Sequence, residues 1–199
     1  MVIGTNSDGL NGKRDSLNKT IEEIAPSVLM IQETKFSSKG RFKAKNYEIF
    51  EQIRTQKGGD GFLTAVHEDL SPVLVGDGSS DDVEILVVEA EISEHRIRFI
   101  NGYGPQEKAP VEDRIKFYAR LEEEIVLSMI SGCLTCIELD ANAKLGPQII
   151  PGDPHARTEN GELLLGVIER NNLTICNSSQ LSTGIITRRK LPLTGSRKV

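Results

Sequence analysis

The stretch "CIELDANAKLG", residues 136–146, begins apolar and then presents Asp140 and Asn142 before reaching a glycine. Residues two apart on an extended chain point the same way, so the two polar side chains are expected to face one target. Asn6, Glu33 and Tyr103 likewise close apolar runs: "MVIGTN", "SVLMIQE" and "RIRFINGY". Strand ends of α/β sheets are where side chains from distant parts of a chain meet in a crevice. Two carboxylates with amide and phenol neighbours, and no thiol or imidazole, form a hard, oxygen-rich set. Such a set suits magnesium or manganese rather than zinc, and a hard cation beside polar donors suits metal-assisted chemistry on phosphate. Asp and Asn after strands are also ordinary turn residues, so each position taken singly has a plain structural reading as well.

The elements that must position these residues can be read from periodicity. "NGKRDSLNKTIEEIAP" places Leu17, Ile21 and Ile24 at helical spacing, with Asp15 or Ser16 available as the cap and Pro26 as the stop. The run "SVLMIQE" has the length of a buried strand, so the chain opens as strand, helix, strand. Short β-rich runs follow, "YEIFEQI", "GFLTAVHE", "PVLVG", "VEILVVEAEI" and "RIRFINGY", expected as mostly antiparallel strands. In "PVEDRIKFYARLEEEIVLSMIS" the residues Val111, Ile115, Tyr118, Leu121, Ile125 and Met129 keep a helical period and predict the long helix and its packed face. "CLTCIELD" is a further strand, "TENGELLLGVIERNN" a third helix and "LTICN" another strand, while "KLGPQIIPGDPHAR" is a surface loop. Strands outnumber helices, and the fold class expected is an α/β sandwich of two packed sheets with helices on their outer faces.

Bulk properties narrow the function classes. At 199 residues and 38% hydrophobic the chain buries one sizeable core. The longest apolar runs are strand-sized, far short of the roughly 20 residues that cross a bilayer, and the N-terminus lacks the pattern of a secretory signal. An intracellular protein with no membrane partner is expected. Three cysteines fit a reducing compartment, and the isolated Cys133–Cys136 pair, with no second pair, reads as strand core rather than a zinc site. The formal net charge of -5 argues against a nucleic-acid-binding surface everywhere, but residues 187–199 carry Arg188, Arg189, Lys190, Arg197 and Lys198 and no acid. That tail is expected either to touch phosphates or to be a solvated terminus.

The blocks "TNSDGL", "LMIQETKF", "GGDGFLTAVHEDL", "NGYGPQE", "ELDANAKLG" and "ENGELLLGVIERNNLTICN" occur in the order of the blocks of the endonuclease/exonuclease/phosphatase superfamily. From about residue 3 to 189 the chain most resembles the apurinic-endonuclease-like nicking domain of non-LTR (LINE-type) retrotransposons. The resemblance implies a four-layer α/β/β/α sandwich of two mixed, largely antiparallel sheets, hydrolysing phosphodiester bonds of DNA with Mg2+ or Mn2+ and no small-molecule cofactor. It implies a domain over residues 1–190, a basic tail over 191–199, and a nuclear location where DNA is the substrate. By the same resemblance Glu33 holds the metal and Asn6 supports metal and phosphate. Tyr103 contacts the scissile phosphate, Asp140 positions or activates the attacking water, and Asn142 holds the phosphate.

Two departures from the family pattern stand out. Leu139 occupies the position before Asp140 where the family has glycine, a change in backbone freedom rather than in chemistry. The family's closing S-D-H block, with its proton-transferring histidine and orienting aspartate, is not among these residues; the chain runs "LSTGIITRRKLPLTGSRKV". The expectation is a C-terminally truncated copy lacking the last strands, with exposed sheet edges and impaired nicking. His67, His95 and His155 are expected in surface or turn roles, His155 being the nearest to a substitute. Two further readings are a non-catalytic remnant that binds DNA or a partner, and a phosphoesterase of the same superfamily acting on another phosphate ester.

Overall fold

A computed structural model describes residues 1–36, 42–53, 61–76 and 83–176. The basic tail and the end of the expected strand "LTICN" lie outside the described residues.

Among the described residues there are eight strands: β1 Val2–Asn6, β2 Val28–Gln32, β3 Tyr47–Gln52, β4 Phe62–His67, β5 Val73–Gly76, β6 Ile85–Ile92, β7 His95–Tyr103 and β8 Leu134–Asp140. The α-helices among the described residues are α1 Arg14–Ile24, α2 Val111–Ile130 and α3 Glu159–Arg170, and a short 3-10 turn spans Glu68–Leu70. One sheet has the order β1-β2-β4-β3 and the other β5-β6-β7-β8. The pairs β1/β2 and β7/β8 are parallel and the remaining pairs antiparallel, so both sheets are mixed and largely antiparallel. This is the expected sandwich.

Three apolar layers hold it together. Between the sheets, Val28, Met30, Phe50, Phe62 and Val66 meet Leu86, Val88, Ala90, Phe99 and Tyr103. Outside the first sheet, Leu29, Ile31, Leu63 and Ala65 pack with Ile21 of α1. Outside the second, Val87 and Ile100 pack with Phe117, Tyr118, Leu121 and Ile125 of α2 and Val167 of α3. The alternation Val28, Met30 inward against Leu29, Ile31 outward is the strand period at work, and it explains why β2, covered on both faces, reads as a continuous apolar run.

A polar network of Gln32, Thr64 and Asn101 sits inside the inter-sheet layer. Gln32 of β2 donates its Nε2 to Asn101 Oδ1 of β7 at 2.8 Å, while Asn101 Nδ2 donates to the Leu63 carbonyl at 2.8 Å and to Thr64 Oγ1 at 3.2 Å. Gln32, Thr64 and Asn101 are fully enclosed. A buried network with its groups paired fixes how the two sheets are placed against one another, one residue before Glu33 on β2 and two before Tyr103 on β7.

Several local expectations are corrected. The cap of α1 is Lys13, with no side-chain cap bond, rather than Asp15 or Ser16; Asp15 falls in the first turn, where its charge suits the helix dipole. The helix stops at Ile24, with Ala25 in the left-handed region just before Pro26. The packed face of α2 holds the expected Tyr118, Leu121 and Ile125, but its other members are Arg114, Phe117, Glu124 and Ser128. Val111, Ile115 and Met129 are 51%, 52% and 51% exposed. The rotation follows from ion pairing: Arg114 bonds Glu159 at 2.7 Å, and Glu124 bonds Arg98 at 3.3 Å and Arg120 at 2.5 Å, so charged side chains take up buried positions that hydrophobicity alone assigns to the outside. Leu173–Cys176 is not a strand. Leu173 N instead donates to the Ile168 carbonyl at 2.9 Å and closes the end of α3.

Candidate active site

The ends of β1, β2, β7 and β8 bring the predicted residues to one region. Asn6 closes β1, Glu33 follows β2, and Tyr103 and Asp140 close β7 and β8 as directly paired partners in the register. Asn6 Nδ2 donates to Glu33 Oε1 at 2.8 Å and to Asp140 Oδ2 at 2.5 Å. One carboxamide therefore joins two carboxylates from different sheets.

The backbone around Glu33 is built for this. Glu33 has φ 53, in the left-handed region, which turns its side chain out of the line of β2. Its carbonyl accepts from Gly9 N at 2.7 Å and Ser7 Oγ at 2.9 Å, and Thr34 N donates to the Gly61 carbonyl at 2.7 Å, so the neighbouring loops hold the conformation. Asn6 Oδ1 accepts from Asp8 N at 3.0 Å, which leaves Nδ2 for the carboxylates. Lys35 Nζ lies 3.9 Å from Glu33 Oε2 and also pairs with Asp8.

The pleat of β8 does not set the direction of Asn142. The strand ends at Asp140, and Asn142 has φ 44. Its Nδ2 donates to the Gly104 carbonyl at 2.8 Å, and Gly104 N donates to the Asp140 carbonyl at 2.8 Å, so the segments after β7 and β8 are laced together. Gly104 permits this: a Cβ there would stand 2.7 Å from the Ala141 carbonyl oxygen. Tyr118 of α2 donates to that same carbonyl at 3.2 Å, and burial, followed by the charge of Glu107, raises its pKa and keeps it a neutral donor. Beside Asn142 a cleft of about 480 Å3 opens, lined in part by Gln106, Lys108, Lys144 and Thr158.

Glu138 was not among the residues singled out from sequence, although it stands two before Asp140 on the same strand face. Its carboxyl lies against Gly4, where a Cβ would sit 2.0 Å from its Cδ. Burial and then the charge of Asp140 raise its pKa. The even spacing to Asp140 is the signal that marks it.

The histidines lie elsewhere. His67 ends β4 edge-to-face with Tyr47, His95 begins β7 with its ring on the Ser93 carbonyl, and His155 is an exposed loop residue whose N donates to Asp153. Cys133 and Cys136 are unpaired thiols; burial, then Glu138, then Cys176 push Cys136 up to about 11, which keeps it protonated. Among the described residues no three His, Cys, Asp or Glu side chains are grouped to hold a metal ion, and no helix is long and apolar enough to cross a membrane.

The donor set that remains is two carboxylates, Glu33 and Asp140, steadied by one amide. Magnesium is characteristically bound through one or two carboxylates plus waters and substrate phosphate, so the residues present fit a hard divalent cation.

The strand order and the two mixed sheets with flanking helices define a fold class: the chain has the apurinic-endonuclease-like endonuclease/exonuclease/phosphatase fold. Among solved structures it resembles the endonuclease domain of TRAS1, a telomere-specific non-LTR retrotransposon, with TM-score 0.62, 17% identity, and coverage of 85% of this chain and 69% of that one. The Xenopus laevis APE2 catalytic domain gives TM-score 0.64 at 18% identity over 82% of this chain and 66% of that one. The 3′ phosphatase NExo from Neisseria, bound to a product DNA hairpin, gives 0.61 at 16% identity over 84% and 70%. No family model matches the sequence. Craniofacial development protein 2 of Bos taurus is 25% identical over 183 residues, covering 88% of this chain, which spans 31% of that relative's length.

Proposed function

We propose that this chain is a divalent-metal-dependent phosphodiesterase domain whose substrate is DNA, of the nicking-endonuclease type found in retroelements. The observation that carries the reading is the pair of bonds from Asn6 Nδ2 to Glu33 and Asp140, which gathers the ends of β1, β2 and β8 across two sheets. The block order of the sequence and the fold shared with nucleases support the substrate class, as do Lys108 and Lys144 in the cleft beside Asn142.

Glu33 and Asp140 are the residues that would hold Mg2+ or Mn2+, and the cation would supply Lewis-acid stabilisation of charge developing on the phosphate. Asn6 fixes the two carboxylates relative to each other. Asp140 orients the attacking water and is the acceptor for its proton, since among the described residues no imidazole joins the cluster. Tyr103 and Asn142 bind the phosphate; donors placed where negative charge develops favour the transition state over the ground state. With a carboxylate in place of an imidazole for proton transfer, turnover is expected to be slow.

The test is hydrolysis of duplex DNA and of a small activated phosphodiester, with magnesium present and then chelated. Metal-dependent cleavage of both supports the reading. Cleavage of the small ester alone transfers the substrate to another phosphate ester, and DNA binding without any hydrolysis leaves a binding module.

A further inference from the structure

Asn160, the second residue of α3, is 0% exposed, and its Nδ2 donates both to the Pro105 carbonyl at 2.7 Å and to the Asn142 carbonyl at 3.1 Å. We propose that Asn160 is a positioning residue for phosphodiester hydrolysis, setting the separation between the Tyr103 strand end and the Asp140–Asn142 strand end. The proposal rests on the reading given under Proposed function.

The first turn of α3 is shaped as a bracket on the segment after β8. Thr158 N donates to the Lys144 carbonyl and Lys144 N to Thr158 Oγ1, each at 3.1 Å. Gly161 lets the helix close onto that segment, since a Cβ there would lie 2.0 Å from the Lys144 carbonyl oxygen. Asn160 N donates to Glu107 Oε1 at 3.2 Å, which adds the segment after β7. Asn160 thus touches both polypeptide segments that leave the paired strand ends, two residues beyond Tyr103 and two beyond Asp140.

The chemistry of the side chain separates this role from simple packing. Its Oδ1 is buried without a hydrogen-bond partner among the described residues, an arrangement that costs stability. What the carboxamide contributes is its donor side, two N–H groups aimed at two carbonyls. Aspartate has the same shape without those donors, and would turn an oxygen toward each carbonyl. Left-handed Asn142, with φ 44, is held from both directions: its own Nδ2 on Gly104 and Asn160 on its carbonyl. Loss of the second tie frees that backbone to relax, carrying the Asn142 carboxamide away from its partner.

The experiment compares the full chain with Asn160→Asp, and with Asn160→Ser should the aspartate fail to fold, using supercoiled plasmid, magnesium chloride and asparagine-selective 15N labelling. A positioning role predicts that the Asn142 side-chain amide cross-peak moves and that kcat falls about 10- to 100-fold, with KM and the magnesium dependence within about twofold of the parent. A purely structural role lowers the melting temperature while leaving the cross-peak and kcat of the folded fraction unchanged, and that result overturns the proposal. A parent chain with no metal-dependent cleavage overturns the functional reading itself, and this inference with it; a parent that cleaves beside a variant that cleaves equally well overturns the inference alone.

Discussion

Asn6, the last residue of β1, donates its side-chain amide to Asp140, the last residue of β8, across 134 positions of sequence and from one sheet to the other. The same nitrogen bonds Glu33, so the spacing of the two carboxylates depends on Asn6. Asn6→Ala is expected to weaken manganese binding by about 10- to 100-fold, the range typical of groups that orient ligands. Calorimetric titration with manganese chloride measures it, and an unchanged affinity removes Asn6 from the site.

Gly4 lies against the Glu138 carboxyl, with 2.0 Å between the place of an added Cβ and Cδ. The atoms met are the far end of a flexible side chain that can swing aside, so Gly4→Ala is expected to cost no more than about 1 kcal/mol in urea unfolding, the low end for overpacking. Shortening Glu138 to alanine makes room, so the same glycine change should cost markedly less in a Glu138→Ala background. Equal costs in both backgrounds would mean that the two residues do not compete for space.

Glu138 also predicts a pH dependence. Its pKa is raised in the folded chain by burial and by Asp140, so the folded state favours the protonated form. That contribution is fully present below the unfolded pKa and is lost as pH rises through the folded one. Relative to Glu138→Gln, the parent should therefore lose stability over the pH range upward from the ordinary glutamate pKa. Unfolding midpoints of the metal-free proteins measured across that range check the sign; a difference that stays constant or reverses argues against a buried, charge-coupled carboxyl.

The buried network of Gln32, Asn101 and Thr64 is expected to be costly to break. Asn101→Leu leaves the Gln32 amide and the Leu63 carbonyl enclosed without Asn101, at about 1–3 kcal/mol for each unsatisfied group. Denaturant unfolding of the variant gives the value, and a loss below about 0.5 kcal/mol would show the sheets to be held by apolar packing alone.

Why the strand ends were legible and other features were not has a physical basis. Asn6, Glu33, Tyr103 and Asp140 each terminate or follow a run whose period is unmistakable, and their convergence is what a sandwich of sheets does with strand ends. Hydrophobic spacing places Tyr118, Leu121 and Ile125 of α2 on the packed face correctly and Val111, Ile115 and Met129 wrongly, because Arg114 and Glu124 are buried through ion pairs with Glu159 and Arg98, partners that lie outside the helix. The orientation of Asn142 depends on a left-handed backbone and a bond to Gly104, neither of which alternation encodes. Asn101 and Asn160 were invisible for the same reason: an asparagine in a strand or a first helical turn looks like a surface residue until the groups it meets are known.

The α2 register gives a simple check on the fold. Ile115→Lys, at a 52% exposed position, should change stability by less than about 0.5 kcal/mol, while Phe117→Ala, in the outer core, should cost about 3–5 kcal/mol. Reversed magnitudes would restore the face expected from hydrophobic spacing.

The central claim is that Glu33 and Asp140 together make a metal-dependent phosphodiester site. The most direct measurement is the rate of conversion of supercoiled plasmid to open circles by the parent chain, Glu33→Gln and Asp140→Asn, with magnesium and with chelator. The account predicts slow, magnesium-dependent nicking by the parent, reduced at least about 100-fold in either variant. Nicking that survives both substitutions, or a parent rate indifferent to magnesium, would contradict it.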